Sequence, residues 1–145
     1  MKKNTDDLMK ALSETENLQD YLEEFADDMA EGTIEDYLKK LLEEKQMNKA
    51  EVIRRAELSD SYAFQVFSGR KTNPSRDTVI CLAFGFGLNP DETQAMLKAF
   101  GLSYLYAKHK RDCILLYSLQ HGLTVPEANE LLFDNDMLTL CEKVS

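Results

Sequence analysis

Apolar residues recur along this chain with the period of a helix and almost nowhere with the alternation of a strand. The pattern predicts an all-α protein. A weak first helix covers roughly 5–12. Ser13 is placed to cap the next, SETENLQDYLEEFADDMA, with Leu18, Tyr21, Leu22, Phe25 and Met29 on one face and Gly32 as its break. Thr33, with Asp36 in a capping-box position, opens a helix over 34–46. Its apolar stripe is Ile34, Tyr37, Leu38, Leu41 and Leu42. Asn48 caps 49–57, and Ser59 or Asp60 caps a short helix ending near Ser68-Gly69. Ser75 caps a helix through Phe86 that turns Val79, Ile80, Leu82, Ala83 and Phe86 inward. Asn89-Pro90-Asp91-Glu92 sets a cap, a first-turn proline and acids in order, starting a helix that runs to Gly101. Helices over 108–121 and from Thr124 follow, and a last turn covers 136–141.

The most informative stretch is KAEVIRRAELSDSYAFQVFSG, residues 49–69. Val52, Ile53 and Ala56 form one inward stripe, and Ala63, Val66 and Phe67 repeat that spacing on the second helix, with Leu58 in the turn. Asp60, Ser61, Tyr62, Phe64 and Gln65 lie between the second set. A short helix with one buried face and hydrogen-bonding or aromatic side chains opposite suits a DNA major groove.

Charge sharpens that reading. The formal net charge is −9, which opposes binding to a polyanion. Residues 1–44, however, hold five Lys or Arg against fourteen Asp or Glu, and residues 77–145 hold five against nine. Residues 45–76 hold seven (Lys45, Lys49, Arg54, Arg55, Arg70, Lys71 and Arg76) against Glu51, Glu57 and Asp60. The basic segment is the one with the two-helix pattern. Backbone phosphates respond to charge within about a Debye length, ~8–10 Å, so local charge outweighs the total.

The layout from Ile34 to Leu88, about 55 of 145 residues, resembles the lambda-repressor-like helix-turn-helix family of Xre/Cro type. An upstream helix, the 49–57 and 60–67 pair, Phe67-Ser68-Gly69, a basic loop, Pro74-Ser75, and a helix with Leu82-Ala83 and Gly87-Leu88 carry the likeness. Residues 90–142 also look like the C-terminal helices of some bacterial Xre-type regulators. The resemblance implies a five-helix DNA-binding domain over 33–88. An acidic helical segment at 1–32 and a C-terminal extension at 89–145, for packing or dimerisation, would flank it. Glu57 stands where the family usually has glycine, so a positive φ there would cost roughly 1 kcal/mol. Ile53 stands where the family prefers alanine, and Ala56 is small where it is usually bulky, a volume exchange within one face.

By the same resemblance Lys49 reaches a phosphate or a guanine edge, and Ser61, Tyr62 and Gln65 are candidate base readers. Asp60 could accept from a cytosine N4 or cap the helix, and the cap is the favoured role; Phe64 either contacts DNA or packs under the C-terminal helices, with packing favoured. Ser68, Arg70, Lys71, Thr72, Asn73 and Arg76 are candidate phosphate contacts. The expected protein is a bacterial transcriptional regulator, acting on double-stranded DNA as a homodimer.

Other chemistry finds less in the sequence. His109 and Cys113 are i, i+4, and His121 lies two turns beyond Cys113, but no second pair completes a four-ligand set, so no metal or other cofactor is expected. No glycine-rich phosphate loop, His-Glu metal motif or nucleophile elbow points to an enzyme. Tyr104 and Tyr106 read as packing at a turn between helices. Cys81, Cys113 and Cys141 are odd in number and far apart, and the first and second sit in apolar runs, which reads as buried free thiols in a reducing cytoplasm. No apolar run approaches the ~20 residues that span a bilayer, and the N-terminal residues run into acid rather than a signal-like apolar stretch. The rival reading keeps the fold as a protein-interaction module, an adaptor or antitoxin, engaging a partner through the N- or C-terminal helices. In a third, the acidic N-terminus shields the DNA-binding face.

Overall fold

The computed structural model describes residues 5–24, 33–71 and 73–140. Among them all regular structure is helical: α1 (Thr5–Glu14), α2 (Leu18–Glu24), α3 (Ile34–Lys45), α4 (Lys49–Ala56), α5 (Asp60–Phe67), α6 (Arg76–Phe86), α7 (Pro90–Ala99), α8 (Lys110–Gln120) and α9 (Val125–Asp134). The chain divides into two compact units, Met1–Gly32 and Thr33–Ser145. None of the described helices is long and apolar enough to cross a membrane.

In the first unit the helix start differs from the sequence expectation. Ser13 does not cap α2; it lies in the last turn of α1 and its hydroxyl donates back to the Lys10 carbonyl. Asn17 takes the cap, its Oδ1 accepting from the amides of Gln19 and Asp20 at 2.9 and 3.2 Å. Tyr21 is buried, whereas Leu18 and Leu22 on the same expected face are exposed. Phe25, Met29 and the break at Gly32 lie outside the described residues.

In the second unit local capping chemistry sets the helix starts. Thr33 with Asp36, Asn89 with Glu92, and Thr124 with Glu127 form complete capping boxes, and Asn48 and Ser75 cap α4 and α6 through their side chains. Each cap satisfies an amide that the first helical turn leaves without a carbonyl. Glu57 ends α4 in the left-handed region at φ 59°, so the strain expected of a non-glycine there is present.

α6 is the central helix. All its residues from Thr78 to Phe86 are buried, and it packs against α3, α4, α7 and α9. A helix covered on every side needs an apolar surface all round, which its sequence supplies. Its crossing with α4 is tight: a Cβ on Gly85 would lie 2.5 Å from the Val52 carbonyl oxygen and 3.1 Å from Ala56 Cβ. Ala56 is small because α6 passes over it. Ile53, also buried, fills space on the same stripe.

The C-terminal part departs from the expected pattern in three places. α8 begins at Lys110 rather than 108. Residues 136–140 are not a helical turn; Asp136 is left-handed at φ 61°, and the segment is held where Asn129 Oδ1 accepts from the Leu140 amide. Phe133, one of the apolar residues open to either a dimer face or the core, is exposed, while Leu140 is buried. Cys113 is exposed although it lies in an apolar run, because it falls on the outer face of α8; Cys81 is buried. Cys141 lies outside the described residues.

Candidate nucleic-acid interface

Two helix starts and one helix end assemble the site. Asn48 caps α4, which makes Lys49 its first residue and leaves that side chain exposed. In α5 the inward residues Ala63, Val66 and Phe67 are buried. The helical period then carries Asp60, Ser61, Phe64 and Gln65 outward, and all of them are exposed. After α5, Gly69 turns the chain at φ 82°, a conformation glycine adopts without steric cost. The Lys71 amide then donates to the Gln65 carbonyl at 3.0 Å, folding the basic loop back along α5.

The result is an open recess of ≈ 380 Å³ lined by Lys49, Ser61, Phe64, Gln65, Ser68 and Arg70. Lys49 and Arg70 supply cations, Ser61, Gln65 and Ser68 supply hydrogen-bonding groups, and Phe64 supplies an exposed ring. Two lysines lean on aromatic rings: Lys49 Nζ lies 6.0 Å from the Phe67 centroid and Lys71 Nζ 5.9 Å from that of Tyr62, near the outer limit of a cation–π contact. Tyr62 is half-buried against the core on the flank of α5, and it does not line the recess. Asn73 is exposed in the loop. Thr72 lies outside the described residues. An acid borders the basic group: Glu35 Oε2 would lie 3.2 Å from a Cβ on Gly69.

Three sequence expectations are corrected. Arg76 is not a free phosphate donor. Its guanidinium donates to the backbone carbonyls of Ser103 and Tyr104 and to both carboxylate oxygens of Asp112. Four of its five N–H groups are thereby committed. Asp60 does not cap α5: Ser59 holds the cap position, without a side-chain hydrogen bond, and Asp60 is the first helical residue, its charge at the positive end of the helix dipole. Phe64 does not pack beneath the C-terminal helices but lines the recess, 51% exposed. Its place off the Ala63/Val66/Phe67 stripe was the signal for that position.

The sequence does not single out Asp112, which is buried beside the start of α6. Burial works against its charge. Hydrogen bonds from Arg76 and the Tyr106 amide, with attraction from Arg76 and His109, outweigh burial and hold its carboxyl below the usual range. His109 stands 3.8 Å from it on an exposed side chain, and its ring lies 5.6 Å from that of Tyr106, centroid to centroid, in a tilted arrangement. His121 stacks on Tyr117 at 4.0 Å. Tyr104 and Tyr106 are both exposed.

Comparison with protein-family models, curated proteins and solved structures gave no match for this chain.

Proposed function

We propose that this chain is a helix-turn-helix protein of the lambda-repressor-like Xre/Cro type, a bacterial transcriptional regulator that binds double-stranded DNA rather than an enzyme. The carrying observation is the convergence of Lys49, Ser61, Gln65, Ser68 and Arg70 on one open face around α5, within the basic segment of an otherwise acidic chain. α5 enters the major groove. Gln65 pairs with the N6/N7 edge of an adenine, Ser61 donates or accepts at a neighbouring base, and Phe64 meets a thymine methyl. Lys49, Ser68, Arg70 and Lys71 hold phosphates and set the register, with Asn73 beside them. Tyr62 reaches the DNA from the flank. Arg76 is left out of this set.

α5 has eight residues and so reads only a few base pairs. Useful specificity then calls for a homodimer on two half-sites, roughly 34–36 Å apart for one helical turn. The C-terminal helices supply the dimer contact in this reading.

Selection of genomic fragments by the purified protein tests the proposal. Gln65→Ala should relax preference at one base pair by about 1–3 kcal/mol. Arg70→Ala should weaken all sites alike and lower the slope of log affinity against log salt by about one. The exposed Phe64 ring and the acid at Glu35 favour one rival, an apolar protein partner seated on the same recess. No sequence enrichment by the parent protein, together with unchanged behaviour of both variants, would hand the site to that rival.

A further inference from the structure

The loop that carries Arg70 and Lys71 is anchored at both ends. The near end is held on α5 by the Lys71 amide and the Gln65 carbonyl. The far end runs into the first turn of α6, and that turn is tied to α8. Arg76-Asp77 opens α6, and Arg111-Asp112 lies in the first turn of α8. Each arginine reaches the aspartate of the other pair. Arg76 donates to both oxygens of Asp112 at 3.3 and 3.1 Å, and Arg111 donates to both oxygens of Asp77 at 2.9 Å each. Paired forks of this kind fix orientation as well as distance. Both carboxylates sit at helix N-termini, where the dipoles favour them.

The crossed pair also gathers backbone from two further places, the α7–α8 connection and the segment after α9. Arg76 takes the carbonyls of Ser103 and Tyr104, Arg111 takes those of Leu138 and Thr139, and Asp112 accepts from the Tyr106 amide. The α7–α8 connection, the start of α8 and the segment after α9 therefore all converge on the first turn of α6. All four side chains are less than about one-third exposed, and Asp112 is 8% exposed, so water competes weakly with these bonds.

We infer that the Arg76-Asp77/Arg111-Asp112 cross-pair is a positioning device that lets α8 and the C-terminal segment set the order of the phosphate-contacting loop. The inference rests on the DNA reading for its consequence, but not for its geometry. The C-terminal helices contribute to DNA affinity through this pair without touching DNA. A partner or second copy that shifts the start of α8 would change affinity through the same four residues.

Arg111→Gln is the informative variant, since Arg111 lies on α8 and outside the recess. Its effect is read first without DNA, by hydrogen exchange. The Lys71 amide and the Thr78 amide, which donates to Ser75 Oγ, should exchange roughly tenfold faster, while the Leu82 amide in the middle of α6 keeps its rate. DNA affinity should fall roughly tenfold, within the usual range of coupling between sites, at an unchanged salt slope. Arg111→Lys, which keeps one ion pair to Asp77, should restore part of both effects. Unchanged exchange at Lys71 and Thr78 overturns the inference, and so does equal acceleration at Leu82, which means general loosening. A parent protein that binds no DNA sinks the DNA reading alone, since the exchange result still decides the positioning role.

Discussion

Gly85 sets two physical effects against each other, and the structure decides the sign. Intrinsic helix propensity predicts that Gly85→Ala stabilises α6 by about 1 kcal/mol. The crossing with α4 predicts the reverse. The added Cβ would stand 2.5 Å from the Val52 carbonyl oxygen and 3.1 Å from Val52 Cγ1 and Ala56 Cβ. An ordinary contact of this kind needs ~3.5 Å or more, so α4 and α6 must separate by up to about 1 Å. Backbone cannot rotate out of the way as a side-chain tip can. A gap of that size forfeits a quarter to a half of the dispersion energy along the seam, where Val52, Ile53 and Ala56 are buried. Overpacking of this kind costs about 1–3 kcal/mol, and contact with backbone places this case at the upper end. Subtracting the propensity gain leaves a net loss of about 2 kcal/mol. Urea unfolding followed by circular dichroism at 222 nm measures it. With a slope of about 1–3 kcal/mol per molar, the midpoint should fall by roughly 1 M. Adding Ala56→Gly relieves only the contact to Ala56 Cβ, so rescue should be incomplete. A Gly85→Ala protein as stable as its parent, or more so, refutes the close crossing.

Three further outcomes follow from other sites. Glu57→Gly should raise stability by about 1 kcal/mol, since φ is 59° there and an acid also sits at the negative end of the α4 dipole; Glu57→Gln, which removes the charge and keeps the side chain's size, should gain a few tenths. Ile53→Ala should cost about 2–5 kcal/mol in the same unfolding assay, since Ile53 is 2% exposed, and a variant as stable as the parent would discard the exchange of volume with Ala56. Asp112→Asn should cost about 2 kcal/mol at neutral pH, below the 3–5 of a fully buried pair because Arg76 keeps 26% exposure. Because the folded carboxyl titrates below its unfolded value of about 3.9, its contribution is complete above that value and disappears as pH falls through the folded pKa. The variant should therefore show a flatter acid limb, and identical acid limbs would remove Asp112 from the linkage.

Local chemistry made much of this fold readable. Thr33 with Asp36, Asn48, Ser75, Asn89 with Glu92, and Thr124 all cap where the sequence placed them. A cap bonds an amide two or three residues on, so neighbours in sequence suffice. Ser13 failed as a cap because Asn17, a comparable cap former, lies four residues later and wins the start of α2. The outward face of α5 was legible for the same local reason: once Ala63, Val66 and Phe67 are fixed inward, helical geometry sends Ser61 and Gln65 outward. That logic extends to Phe64, and the expectation that it packs under later helices required an element that does not reach it.

What the sequence by itself determined is the all-helical course of the chain, most helix starts, and the basic segment with its outward polar residues, because each depends on residues within a turn or two of one another. What only the tertiary structure decided is where distant surfaces meet. Gly85 looks like a weak helix residue until Val52 and Ala56 are seen against it. Arg76 reads as one more cation of the loop until its partners appear 27 to 36 residues away. An arginine's chemistry suits a phosphate and a carboxylate equally, and only the packing of α8 beside the start of α6 puts the carboxylate there first.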